Sequence, residues 1–520
     1  MPVEIVRDMI NYEKLVGEGS SQTIVKGDIV LEDRNPDMER ILCMDGKAKI
    51  VSSEVMEDKV IVEGKVNFEI YYTTMDENNE VYKKTASSNF SHTIQVPGTT
   101  PKSYCKAVAD IEHMDFEQVN SKKVNVSAVI NIRAAAYDMD VVEAVSDIRG
   151  DNVQLLKDSV EVDEHIGHGS GQSIIKGKIQ LPEDMPEVKS ILKPNVHVHK
   201  KDIIVQDGKV IINACALIKV MFITTEQHLM NMEQDVAFTH ELNIPEVKTS
   251  MKCDARFDIE DIYEDITENE NGERKNIDIE AVIGINANVY MNREIQTIVD
   301  AYSPEERYEI ERRSIKSIGF YAEGTDSQTL KERIILPENA EGIDKIKTMM
   351  VKPSITDLSI IEDKLLIEGV VNCCSIYMAA NQEGGVFCYE EEIPFKASID
   401  MPGTKIDMMP EATVNIEHVS FEKISPREIE VKVILECEGK VYRKSFVDVV
   451  KSVQETELPE NIKNMPSLII YNVQPNDTLW KIAKKYNTAM EDILKINDIP
   501  DPDEIQPGFK ILIPNKRFIK

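Results

Sequence analysis

Histidine, cysteine and clustered carboxylates are the residues through which this chain would do chemistry, and their spacing is the first test. His197-Val198-His199 places two imidazoles on one face of a strand, a spacing that can clip a metal ion. The local sequence supplies no third ligand, so the pair reads as part of a solvated strand. Cys373 and Cys374 point to opposite faces of a regular strand and give no two-point grip. His113 and His418 recur at matching places, but Asp261 stands at the third, which favours a turn or capping role over a shared catalytic imidazole. Gly17, Gly19, Gly167 and Gly169 precede no helix and lysine in the manner of a phosphate loop. The acids between Glu260 and Glu264 lack calcium-loop spacing. The expectation is a non-enzyme with no catalytic residue, no cofactor and no metal.

The elements that carry these residues are organised around Lys59–Tyr72, KVIVEGKVNFEIYY. Val60, Val62, Val66, Phe68, Ile70 and Tyr72 alternate with polar residues, the period of a half-buried strand. The pattern returns 150 residues on (Val210, Ile212, Ala214, Ala216, Ile218, Val220, Phe222) and again 305 on (Leu365, Ile367, Gly369, Val371, Cys373, Ser375, Tyr377). Other landmarks recur in the same order. They are the openings Gly17–Leu31, Gly167–Leu181 and Ala322–Leu336, and the turns Val96–Thr99, Ile244–Val247 and Met401–Thr404. Next come the triplets Ile111-Glu112-His113, Ile259-Glu260-Asp261 and Ile416-Glu417-His418. The chain is one module written three times, and its β-branched runs and turn signals predict a sandwich- or barrel-like β domain. The glycines of the openings suggest a loop feeding a strand. Residues 1–10 read as a short lead-in helix or strand, and Asp37–Leu42 and Glu187–Leu192 as a single turn or short helix.

Boundaries are expected at 1–150, 151–305 and 306–453, with a polar, proline-bearing linker at 454–466 and a last domain at 467–516. Composition is that of an ordinary globular chain, 42% hydrophobic and 29% charged, with no run of about 18 apolar residues to span a bilayer. The start of the chain lacks the apolar core of a secretory signal. Eight scattered cysteines without a CxxC pair suit reduced thiols in a cytosol. The net charge of −32 lies upstream of the tail, since residues 467–520 hold eight basic and seven acidic residues. Such a field repels nucleic acid and anionic membranes, and it keeps a large β protein soluble or favours a basic partner.

In the tail, Leu468–Val473 is strand-like, and Leu479, Ile482, Ala483 and Tyr486 follow helical spacing with Asp477 or Thr478 as cap. Thr488 and Glu491 form a capping-box pattern ahead of a second helix, Ala489–Ile496, and Pro507-Gly508 turns into a last strand, Phe509–Ile513. This βααβ order, with Tyr471-Asn472-Val473-Gln474-Pro475-Asn476-Asp477-Thr478-Leu479-Trp480, then Tyr486, Asn497, Pro507-Gly508 and Leu512-Ile513-Pro514, resembles a LysM domain. Asn476 stands where that family has glycine, and asparagine tolerates the positive φ required there. The copies, with GxGxxQxxxKG openings in the first two and a looser third that keeps Gly324 and Gln328, resemble SPOCS modules, and the arrangement resembles the SipL-like clostridial spore-coat morphogenetic proteins. The expected fold class is mainly β: three tandem β-sandwich or barrel-like modules followed by a small α+β LysM domain.

The resemblance implies a protein of the mother-cell cytoplasm at the outer forespore surface, binding the ATPase that forms the coat's basement layer. The acidic triplicated part is expected to present surfaces for self-association or further coat proteins. LysM kinship implies an alternative, a glycan-anchored envelope protein that binds N-acetylglucosamine chains through Asn476, Asp477, Thr478, Leu479, Ile505, Gln506 and Pro507. One physical argument favours a protein partner. A two-stranded sheet covered on one side leaves the other bare, and the first strand is apolar on both faces. The predicted docking set therefore adds Leu468 and Ile470, with Trp480, the one tryptophan of the chain, as anchor or core residue.

Overall fold

The alternating apolar set of residues 59–73 builds β3 (Lys59–Thr73), the central strand of a sheet between β2 (Arg40–Met56) and β4 (Val81–Gln95). The computed structural model describes residues 4–514 apart from 34, 75–79, 151, 305–306, 381–384, 457–465, 500 and 503–504. Positions 305–306 and 151 of the expected module boundaries, and most of the expected 454–466 linker, lie outside the described residues. A second sheet, in the order β1-β6-β5, joins β1 (Glu4–Val30), β6 (Lys123–Arg149) and β5 (Tyr104–Asn120). The two sheets close on one core in which Val60, Val66, Phe68, Ile70, Ile29 and Ile130 are fully buried. Gly64 interrupts the apolar row because Phe90, its partner on β4, lies across it: an added Cβ would meet the ring at 2.5 Å.

The second copy repeats this plan with β7 (Gln154–Gln180), β8 (Val188–Gln206), β9 (Lys209–Thr224), β10 (Leu229–Asn243), β11 (Lys252–Thr267) and β12 (Asn276–Tyr302). The third does so with β13 (Arg307–Ile335), β14 (Ile343–Ile361), β15 (Lys364–Ala379), β16 (Val386–Asp400), β17 (Met409–Ser425) and β18 (Glu428–Thr456).

Three local expectations are corrected. Residues 4–10 and the opening 17–30 belong to one unbroken strand, β1, paired with β6 along its length. Its glycines serve close approach between sheets, since a Cβ on Gly17 would sit 2.8 Å from the Pro97 carbonyl oxygen and one on Gly19 2.3 Å from that of Gln95. Residues 40–42 and 188–192 are strand, not helix. A register shift after Ile41 and after Ile191 breaks the two-residue alternation, so that Leu42 and Cys43 share one side while Ile41 faces the other, a pattern that mimics helical spacing. The triplets at 111–113, 259–261 and 416–418 are neither turns nor caps. Each is a β-bulge at the same step of the ladder, with Glu112, Glu260 or Glu417 as the extra residue.

Strands β1, β6, β7, β12, β13 and β18 run 27 to 29 residues, about 90 Å for a 27-residue strand and well beyond a sandwich core. Their outer halves pack together as a three-sided axis. Ile10 and Val142, Val162 and Ile295, and Ile315 and Val449 are buried there, one pair from each copy. Tyr137, Tyr290 and Tyr442 occupy matching places in a second layer of the axis. A third meeting point explains why β3 is buried on both faces at its end: Tyr71 (0% exposed) packs with Met221 of the second copy and Cys374 of the third.

The tail pairs β19 (Leu468–Asn472) antiparallel with β20 (Lys510–Pro514), and α1 (Leu479–Lys485) and α2 (Met490–Ile496) cover one side of the ribbon. Thr478 caps α1, its Oγ1 accepting from Lys481 N at 3.2 Å. The capping box at α2 does not form. Ala489 is the N-cap without a side-chain bond, and Thr488 Oγ1 is buried with no partner. Among the described residues no helix is long and apolar enough to cross a membrane.

Candidate functional site

The bare side of the β19–β20 ribbon presents Leu468 and Ile470, 51% and 68% exposed, with Leu512 half-buried opposite Ile470. Ile469 and Tyr471 turn the other way onto the domain core, where Val473 is buried. The apolar strand sequence thus resolves into one face inside and one outside, as a two-layer domain demands.

The turn after β19 holds Asn476 at φ 67°. Asp477 Oδ2 accepts from Gln474 N (2.8 Å) and from Tyr471 Oη (2.7 Å), and these two donors hold its carboxyl below the usual range. Thr478 is committed to its cap and Leu479 is core, 1% exposed. Ile505 packs on the domain core, whereas Gln506 and Pro507 are exposed. Gly508 N donates to Val473 O at 2.8 Å, which draws the loop of Ile505, Gln506 and Pro507 beside the 474–478 turn. The two loops therefore adjoin, but the side chains of Asp477, Thr478 and Leu479 are already in use.

Trp480 faces neither the bare ribbon nor the domain centre. Its Nε1 donates to Asp300 Oδ2 at 2.9 Å, and its ring meets Tyr302 edge-on with centroids 5.0 Å apart. Lys484 Nζ also reaches Asp300 (2.6 and 2.8 Å), Tyr302 Oη donates to Thr488 O (2.9 Å), and Asn487 Nδ2 donates to Ser303 O and Pro304 O. Asp300 and Tyr302 end β12, so the tail sits on the second copy although it follows the third in sequence. Sequence reasoning named Trp480 and missed Asp300 and Tyr302, which carry no motif of their own.

Charged joints tie the copies together. Glu13, 2% exposed, accepts from Tyr104, from Lys106 at 3.2 Å and, across a joint, from Tyr290 Oη at 2.7 Å. Asp254 of the second copy, 0% exposed, accepts from Lys440 (2.6 Å) and Tyr442 (2.8 Å) of the third. Asp45 of the first copy pairs with Lys193 of the second and, at 3.0 Å, Lys352 of the third.

The histidine pair is corrected as well. His197 and His199 are not solvated; their side chains are 12% and 4% exposed at the joint with the third copy, where Glu436 faces them. Cys373 and Cys374 do point to opposite sides, one into the third module's core and one into the central contact. There the Cys374 thiol lies 2.9 Å from that of Cys388 and near that of Cys43, all three being free cysteines.

Comparison with known proteins fits this anatomy. The family model described as SipL, SPOCS domain matches three times, at residues 37–119, 187–267 and 342–424, and the LysM domain model matches residues 471–514. Among curated relatives, the chain is 50% identical over 48 residues to the spore coat assembly protein ExsA of Bacillus cereus, covering 9% of this chain and 8% of that one. It is 46% identical over 48 residues to SpoIVD-associated factor A of Bacillus subtilis (strain 168), covering 9% of this chain and 12% of that protein. The chain therefore spans only a small part of those relatives' length. No solved structure matches. Domain for domain, then, the chain is SipL-like: three SPOCS domains followed by one LysM domain.

Proposed function

We propose that this chain is a non-enzymatic adaptor of spore-coat assembly, in which a rigid SPOCS scaffold holds the LysM domain out to a protein partner. The partner is the coat-basement morphogenetic ATPase on the outer forespore surface, met from the mother-cell cytoplasm. The acidic scaffold offers further surface for self-association or other coat proteins. One observation carries the reading: Leu468 and Ile470 form an uncovered apolar face while Trp480 and α1 hold the domain's other side to the scaffold. The likeness of the tail to a spore coat assembly protein of Bacillus cereus supports the process.

The test uses the full chain and the purified ATPase. Leu468→Glu with Ile470→Glu should lower capture at least tenfold, with Trp480 emission unchanged as evidence that the domain stays folded and seated. Undiminished capture by the folded double variant would reject the docking face. A second reading, glycan binding, is supported by the adjoining loops, with Gln506, Pro507 and the Asn476 backbone as the exposed groups. Saturable binding of chitin or muropeptide oligomers that weakens in Gln506→Ala, and not in the Leu468/Ile470 variant, would establish it.

A further inference from the structure

We infer that the joint between the second and third SPOCS domains is a divalent-metal site, with His197, His199 and Glu436 as ligands and zinc as the fitting ion. The two histidines stand two apart on β8, and Glu436 faces them from β18. One donor atom from each of the three lies within 4.8 Å of the others. His197 Nε2 and Glu436 Oε2 are both buried and both without a hydrogen-bond partner. They are 3.9 Å apart, too far to bond each other. Tetrahedral zinc with ligands at about 2.0–2.1 Å holds its donors roughly 3.3–3.4 Å apart, so an inward turn of either side chain by about half an ångström seats a cation that satisfies both. Two facing orphan atoms without such an occupant would each bear a desolvation penalty.

The surroundings suit the ion. His199 Nε2 is held by Asp235 Oδ1 at 2.7 Å, which fixes the ring and leaves its other nitrogen uncommitted, the carboxylate–imidazole arrangement that supports a metal ligand. The neighbouring cations are engaged elsewhere. Lys201 pairs with Glu438 at 2.5 Å, and Lys219 Nζ donates to the bulge carbonyls Ile416 O (2.8 Å) and Glu417 O (2.5 Å). Glu233 and Glu417, both close to Lys219, add negative charge around the joint, the sign a cation needs.

The other copies lack this set. By strand register the positions of His197 and His199 are Lys47 and Lys49 in the first copy and Lys352 and Ser354 in the third. At the first joint Lys49 Nζ crosses to Glu260 O (2.8 Å), so a lysine brace stands where the second joint has imidazoles. Two imidazoles and a carboxylate are a borderline N/O set, apt for zinc with water in the remaining position. Its ligands come from β8 of the second copy and β18 of the third, so its role is to lock two domains together.

The experiment is a Co²⁺ titration of the metal-stripped full chain, followed by competition with Zn²⁺. Because Cys43, Cys374 and Cys388 form a rival thiol cluster, the titration is repeated on the C43S/C374S/C388S variant. One site is expected whose spectrum lacks the near-ultraviolet sulfur-to-cobalt charge-transfer band and whose visible bands survive removal of those thiols. His197→Asn and Glu436→Gln should abolish it, and Asp235→Asn should weaken it about 10–100-fold, with circular dichroism confirming the fold of each. No uptake by the folded chain, uptake carried wholly by the thiol cluster, or a signal unchanged in both His197→Asn and Glu436→Gln would overturn the assignment.

Discussion

Glu13 shows how single residues hold the scaffold. Burial alone would raise its pKa, but Lys106 and the hydroxyls of Tyr104 and Tyr290 outweigh burial and bring it below the ordinary value. A carboxyl with a depressed folded pKa stabilises the fold above the unfolded value of about 4.3 and loses that contribution as pH falls through the folded pKa. Asp45, depressed by Lys193 and Lys352 against its own burial, has the same sign. Melting temperature should therefore drop as the solution is acidified below about pH 4, and less steeply in Glu13→Gln; identical slopes would remove Glu13 from this account. Glu13→Ala takes the acceptor from a partly buried lysine and two tyrosine hydroxyls, of which only that of Tyr290 is buried, and should cost about 1–3 kcal/mol by denaturant unfolding. Asp300 is the matching residue at the tail. Asp300→Ala deletes acceptors for Trp480 and Lys484, charged bonds of about 1.5–3 kcal/mol each when well buried and less here. The single tryptophan reports it directly: its emission should shift to the red, and an unshifted spectrum would mean the domain is held by other contacts.

At the level of strands and turns, side-chain period decided what could be read. Alternation in Lys59–Tyr72 is a two-residue signal, and β3 follows it nearly to the residue. The glycine-rich openings misled because their local spacing is that of a loop, whereas their cause is distant: Gly19 passes under the Gln95 carbonyl of another sheet. Gly19→Ala should therefore cost about 1–3 kcal/mol by overpacking, where a loop glycine would tolerate it. Gly64 opposite Phe90 and Gly369 opposite Phe395 have the same origin, and the second copy has Ala214 opposite Phe238. Gly64→Val should displace Phe90 and destabilise the first domain before the others, seen as loss of protection in hydrogen exchange confined to β2–β4. The Thr488–Glu491 motif misled for a related reason, since the Thr488 carbonyl is taken by Tyr302.

Across the whole molecule, the unit that folds is larger than the segment each SPOCS match covers. Residues 37–119 hold β2 to β5, while β1 and β6 lie outside the match, complete the sandwich and build the axis. Which side chains would meet there was invisible in the sequence, because contacts between copies depend on how three sandwiches are arranged. Residues 306–456 alone would expose Ile315, Val449, Phe320 and Tyr442 to water. That fragment should self-associate in sedimentation, and a well-behaved monomer would show the axis to be dispensable. The seat of the LysM domain on the end of β12 has a mechanical corollary. A tug on the C-terminal domain is shared between the strand it grows from and the middle repeat it rests on, so the load divides toward the shaft of the tripod. The last repeat need not unravel first, and a filament attached at that tip would be moored to all three legs.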